Sequence, residues 1–532
     1  MTLELTRTRD EQQVTREPGH RRRAPRDTAP WAWLVATAMV AVFGIAVPYL
    51  HWLTPVFGLA VTIGVPVTMF AAKLRLPGSP LADRVIISVA LTVLVLMAGG
   101  LLLNTVLPHL GEPHPLGRWP VTAEVLAIDA AVILWRRERT PALRLHAVAV
   151  RPSVAALWAV LAVSLLACVV GANRLNNGAS GNITLISFGL LIVAVCMLWR
   201  LRNELSDGHI ATVLYVAALI LLLATSLRGW YITGHDIQRE FHVFEITYDA
   251  QRWNISSFQN SYNACLSLTV LPDIYAHLLG MDTAYVFKVI DQAFFAMAPA
   301  AVYLISRKQF SRETAILAVL FFVSFPTFFT DLPFITRQEA GFTFLAVALL
   351  VLVCDTWSHV GRVFWFLLFG VAIILTHYST TYILLITLGA AWLLRVLARG
   401  VRFAVRRRRS ALSVDRRRAV AGLSVIGALV ALAALWTGPL THTSSQLEQT
   451  VSATVNELFG TGSASRSTDV AYGLFHSQVL TPDQELQQYR KQTIAQDDPT
   501  RLSPATVNKY PIKAVPQPDE KFTALGNRLD QA

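Results

Sequence analysis

The chain reads as an all-α polytopic membrane protein, and three observations in the sequence predict it. Hydrophobic residues make up 54% of the 532 and charged residues only 15%, against about 45–50% and about 25% in soluble domains. The apolar residues gather into thirteen runs near the length of a membrane span, about 20 residues. The Lys and Arg residues fall between those runs, and unevenly on the two sides. A mean hydropathy of +0.47 excludes a soluble enzyme and a disordered chain. The four cysteines show no disulfide or zinc spacing.

The elements follow in order. A basic tail over 1–30, with Arg21, Arg22 and Arg23, precedes apolar runs at 31–50, 52–72, 85–107, 119–135, 154–172, 183–199, 210–229, 284–305, 314–330, 339–354, 363–377, 380–397 and 419–437. Placing the N-terminus inside and alternating sides puts 31 Lys and Arg on the cytoplasmic face and six in the external loops before residue 438, the asymmetry of an oriented plasma-membrane protein. The polar THYSTTY segment (376–382) is either the tip of a tight re-entry between two short helices or the middle of one long one. The arginine runs at 406–409 and 416–418 flank a span on the cytoplasmic side, so they read as contacts to anionic lipid and not to nucleic acid.

Four parts result: the tail 1–30, a six-helix region 31–205, a seven-helix core 206–440 with a long external loop 230–283, and an external tail 441–532. The last carries one amphipathic candidate helix through Leu447, Val451, Val455 and Leu458.

The loop 230–283 carries the chemistry. Asp236 precedes a segment in which Ile237, Phe241, Phe244 and Tyr248 recur at helical spacing, while Gln238, Arg239, Glu240, His242, Glu245 and Asp249 take other faces. A second segment has Leu266, Val270, Ile274 and Leu278 four apart. Both predict amphipathic helices at the membrane surface. Asp236 suits a helix N-cap; it equally suits a general base facing an aqueous cavity, with Glu240 one turn on as a second carboxylate. His235 and Arg239 are secondary candidates.

Other polar groups lie at membrane depth. Lys288, with Asp291 one turn on, either binds a lipid phosphate, snorkels to the headgroups or pairs with that aspartate. Arg337 in the short external loop suits a phosphate or a surface pair with Glu339. His377 and Tyr378 could donate to a leaving phosphate.

An acidic residue just after a span on the outside, followed by two juxtamembrane helices, resembles the GT-C superfamily of integral membrane glycosyltransferases. More closely, GHDIQREF, YNACLSLTVLP, Phe287-Lys288, TRQE (336–339) and THYST are similar to a GT-C-like family of prokaryotic membrane proteins of unknown function. The resemblance covers roughly 210–440. It implies a polyprenyl-phosphate-linked sugar donor, an external acceptor in the cell envelope, and inverting transfer with Asp236 as base and Glu240 beside it. Lys288, Arg337, His377 and Tyr378 would bind the donor phosphate. His235-Asp236 stands where an Asp-x-Asp would be expected, so a divalent cation on Asp236 and Glu240 is left open.

Two other classes compete. A transporter or lipid flippase would place ionisable groups near the bilayer midplane; a non-catalytic assembly protein would tolerate loss of Asp236.

Overall fold

A computed structural model describes residues 29–46, 53–141, 151–234, 236–406 and 422–443, with the single residue Gln487. His235, the two arginine runs but for Arg406, and the candidate helix of the external tail lie outside the described residues. Among the described residues the protein is all helix, without strands. In chain order the helices are α1 (Ala29–Ala46), α2 (Thr54–Lys73), α3 (Leu81–Leu110), α4 (Arg118–Leu134), α5 (Pro152–Asn176), α6 (Asn182–Leu201), α7 (Asp207–Ser226), α8 (Asp236–Ala250), α9 (Val270–Leu279) and α10 (Val286–Arg307). They continue with α11 (Arg312–Val323), α12 (Pro326–Thr330), α13 (Thr336–Leu352), α14 (His359–Thr376), α15 (Tyr378–Arg406) and α16 (Leu423–Leu440).

All thirteen apolar runs fall on helices. Nine of these helices, among the described residues, are long and apolar enough to cross a membrane: α2, α3, α5, α6, α7, α10, α14, α15 and α16. The run at 314–330 is divided by a 63° bend between Val323 and Pro326, where Pro326 opens α12 and cannot continue the preceding helix. α4 and α13 have 17 residues each. The 376–382 segment is neither alternative: α14 and α15 meet at His377, whose extended backbone (φ −154°, ψ 114°) ends the first helix, and each is long enough to span.

Charged groups staple one set of helix ends together. Asp207 of α7 accepts from Tyr303 and Arg307 of α10 and from Arg312 of α11, and Lys308 reaches Asp83 of α3 at 2.6 Å. Two buried lysines close helix C-termini, where carbonyls lack intrahelical partners. Lys73 donates to the carbonyls of Val132, Ile133 and Trp135 at the C-terminal end of α4.

The second helical segment of the loop, expected at the membrane surface, lies within the protein instead. Residues 262–276 are buried without interruption, so α9 is covered by protein rather than lying on lipid. α2, α3, α4 and α8 surround it. A Cβ at Gly58 of α2 would stand 2.5 Å from the Leu278 carbonyl oxygen, and one at Gly100 of α3 would stand 2.4 Å from the Val270 side chain. These glycines let the helices approach. Leu266 N–H donates to the Leu375 carbonyl at the end of α14, and the Trp436 indole donates to the Ala264 carbonyl. The four-residue apolar spacing that suggested a lipid-facing stripe serves a packed core.

Candidate functional site

The site forms where the N-terminal turns of α8 and α13 meet. Gly234, at φ +128°, makes the sharp entry into α8 that a side chain would disfavour, and places Asp236 as its first residue. On the other side, Pro333 and the short turn Leu332–Phe334 redirect the chain so that Thr336 opens α13. Both helix N-termini favour anionic partners.

Arg337 joins them. Its Nη2 donates to Asp236 Oδ2 at 2.6 Å and its Nη1 to Glu240 Oε1. The other Glu240 oxygen, Oε2, accepts from both the backbone N–H and the Oγ1 of Thr336, each at 2.7 Å. Glu240 therefore caps α13 from another helix, satisfying a donor that the helix cannot. The Arg337 guanidinium lies 4.1 Å from the centre of the Tyr262 ring and 5.9 Å from that of Tyr378, and Arg239 lies 5.4 Å from the same Tyr262 ring.

Several expectations change. Glu240, expected on a polar face of α8, is fully buried; the core face of that helix runs through Ile237, Glu240, Val243, Phe244 and Thr247. Burial pushes its carboxyl up, and Arg337 with the Thr336 donors pulls the other way. Arg337 is buried, not a surface residue, and it bonds Asp236 and Glu240 rather than Glu339. Glu339 Oε2 instead accepts from Gln292 Nε2 at 3.0 Å. Both carboxylates left open for a divalent cation are engaged by the Arg337 guanidinium.

Lys288 donates to the carbonyls of Gly229, at 2.6 Å, and Arg228, closing α7 as Lys73 closes α4. Its hydrogen bonds go to these carbonyls and not to Asp291. His377 is buried, not at the surface; its Nδ1 lies 2.7 Å from Thr380 Oγ1, and its Cβ would be 2.9 Å from one built on Gly341 of α13. Tyr378 stacks edge-on to it. The structure thus brings together Asp236, Glu240, Arg337 and Tyr378, with Arg239 and His377 at the border, and leaves Lys288 to the backbone. Thr336 and Tyr262, quoted from the sequence only as members of the TRQE and YNACLSLTVLP motifs, join the site. The side chain of Asp236 is the accessible carboxylate of the pair, 39% exposed against 0% for Glu240.

A cavity of about 1350 Å³ opens between α2, α3, α7 and α10. Val56, Val89, Tyr215, Phe294 and Leu304 are among its lining, and Asp83, Asp207, Arg307 and Lys308 stand at one end. From Val289 to Arg307 it follows α10 for about 27 Å at 1.5 Å per residue, close to the roughly 30 Å of a bilayer core. At its other end Tyr275, Ile290 and Phe294 also line a small cavity with Ser267, Asp291 and Thr336. Thr336 connects that cavity to Glu240 and the Arg337 cluster. No protein-family model, no curated protein and no solved structure matches the chain.

Proposed function

We propose that the protein is an integral glycosyltransferase of the plasma membrane, using a polyprenyl-phosphate-linked sugar on the external face, with all thirteen apolar runs crossing the bilayer, N-terminus inside and C-terminus outside. The observation that carries the reading is the Asp236–Arg337–Glu240 bridge. It leaves one accessible carboxylate, held in place at a helix start, beside a polar region that continues into a bilayer-deep apolar cavity. A long hydrocarbon chain suits such a cavity, whose lining is apolar over most of its length.

In this reading Asp236 takes the proton of an acceptor hydroxyl as that oxygen bonds to the sugar's anomeric carbon and the bond to phosphate breaks, releasing polyprenyl phosphate with inversion. Arg337 is a positioning residue: its guanidinium holds the Asp236 carboxyl in place at the start of α8. Tyr378 and His377 are assigned to the phosphate. Lys288, closing α7, supports the scaffold from behind. The test is reconstitution in vesicles with polyprenyl-phosphate sugars and soluble or lipid acceptors. Transfer of sugar to an acceptor supports the reading, and lipid or solute flux without transfer overturns it.

A second reading, a transporter or flippase, is favoured by the carboxylates of Asp291 and Glu339, which lie inside α10 and α13, because ionisable groups at membrane depth often couple transport to ions or protons.

A further inference from the structure

Behind the Arg337 bridge lies a set of polar groups that sugar transfer does not use. Glu339 is 1% and Gln292 0% exposed. Gln292 Nε2 donates to Glu339 Oε2, yet Gln292 Oε1, Glu339 Oε1 and Asp291 Oδ2 are buried with no hydrogen-bond partner among the described residues. Left as bare acceptors these oxygens are costly, because an unmet buried acceptor costs about 1–3 kcal/mol and a buried unpaired charge more.

The cations around them are already engaged. Arg337 is held by Asp236 and Glu240, and Lys288, one turn before Asp291, is held by the carbonyls of Gly229 and Arg228. Facing the set are Glu240 from α8, Tyr275 from α9, and Arg337 from the first turn of α13. His377 and Tyr378 stand behind Arg337, and α7 contributes Tyr215 in the apolar cavity below. Of the four carboxylates Asp236, Glu240, Asp291 and Glu339, the first two are bonded to the Arg337 guanidinium. Only the first pair is neutralised by it.

The small cavity offers Asp291 a partner. Its volume of about 10 Å³ is the space of a single water's centre, and a water there needs two or more polar neighbours. Ser267, Tyr275, Asp291 and Thr336 line it.

We infer that Asp291, which lines a one-water cavity with Thr336, and Glu339, which accepts from Gln292, form a proton-binding site within the membrane region, in which both are neutral carboxylic acids at pH 7. The Glu339 hydroxyl supplies a donor for Gln292 Oε1, and the Asp291 proton exchanges through the water. The Asp291 O–H bond breaks as an O–H forms on the water; the water passes a proton to Thr336 Oγ1, which passes its own to Glu240 Oε2. Asp291 is left as carboxylate and Glu240 as acid, and return of the proton restores both. The site does not depend on sugar transfer, and its readout uses no sugar.

The test is infrared difference spectroscopy of the whole protein in vesicles, comparing wild type with Asp291→Asn and Glu339→Gln in normal and heavy water. Each variant resembles the neutral acid, so both are expected to fold with unchanged Tm. Each is also expected to remove one carboxylic-acid carbonyl band present at pH 7, and the Asp291 band to shift in heavy water. Loss of carboxylate bands instead of acid bands, or a clear fall in Tm, would show ionised and paired groups and overturn the inference. An Asp291 acid band that does not shift in heavy water would overturn the exchange route.

Discussion

Arg337 and Asp236 are joined by a 2.6 Å ion pair across 101 residues of sequence, and the same guanidinium binds Glu240. One buried side chain therefore fixes the first turn of α8 against the first turn of α13. The accessible carboxylate owes its position to a contact far away in the chain.

Removing the guanidinium leaves Glu240 buried and uncompensated. Arg337→Gln is expected to cost about 3–5 kcal/mol, the range for breaking a buried pair by one partner, read as a large fall in Tm in detergent. Glu240→Gln in the same chain is expected to recover part of that loss, and a double-mutant cycle to give coupling of about 0.5–3 kcal/mol. Additive effects would mean that the two groups do not interact.

Asp236 and Glu240 are expected to part company in stability. Asp236→Asn alters a partly exposed pair and should change stability by less than about 1 kcal/mol. Glu240→Ala removes the partner of Arg337 and the acceptor for two Thr336 donors, and should lower stability by several kcal/mol. Equal Tm values for the two variants would contradict the burial difference.

Lys288→Met removes the group that closes α7 while keeping the length of the side chain. Stability is expected to fall by about 1–3 kcal/mol, the cost of buried carbonyls losing their donor. If sugar transfer is established, the donor KM should stay within about twofold; a raised KM with unchanged Tm would assign Lys288 to the phosphate instead.

His277 of α9 gives a dependence on pH. Burial, and then Arg118, pulls its imidazole down to about 4. Between about pH 6.5 and 4 the unfolded chain binds a proton that the folded chain refuses. The stability from this group is therefore full above pH 6.5 and drains away as pH falls to 4. His277→Gln is expected to flatten that limb in thermal unfolding curves. Taking the difference between the two proteins separates the imidazole from the neighbouring Asp273, whose burial acts in the opposite sense. An unchanged acid limb would contradict the assignment.

The apolar helices were legible because hydrophobic length is a local property of sequence. Asp236 was legible for the same reason, as a carboxylate just beyond a span. Glu240 was misplaced: Phe241 and Tyr248 made the aromatic stripe look like the buried face, whereas Glu240 itself turns inward because α13 brings a cation and two donors to it. Arg337 was picked out by its rarity on the outside, but its partners lie 97 and 101 residues away, and no periodicity carries that information. The apolar spacing through Leu266, Val270, Ile274 and Leu278 fits a lipid surface and a protein core equally. The fold chose the core through the close approaches at Gly58 and Gly100.

The central claim is that Asp236 is a catalytic base. It is tested most directly by measuring the initial rate of sugar transfer from polyprenyl-phosphate donors in vesicles carrying wild-type protein or Asp236→Asn. The expected result is transfer by wild type and a loss of about 10²–10⁴-fold in kcat for the variant, with Tm preserved. Transfer by a folded Asp236→Asn protein at the wild-type rate would contradict it.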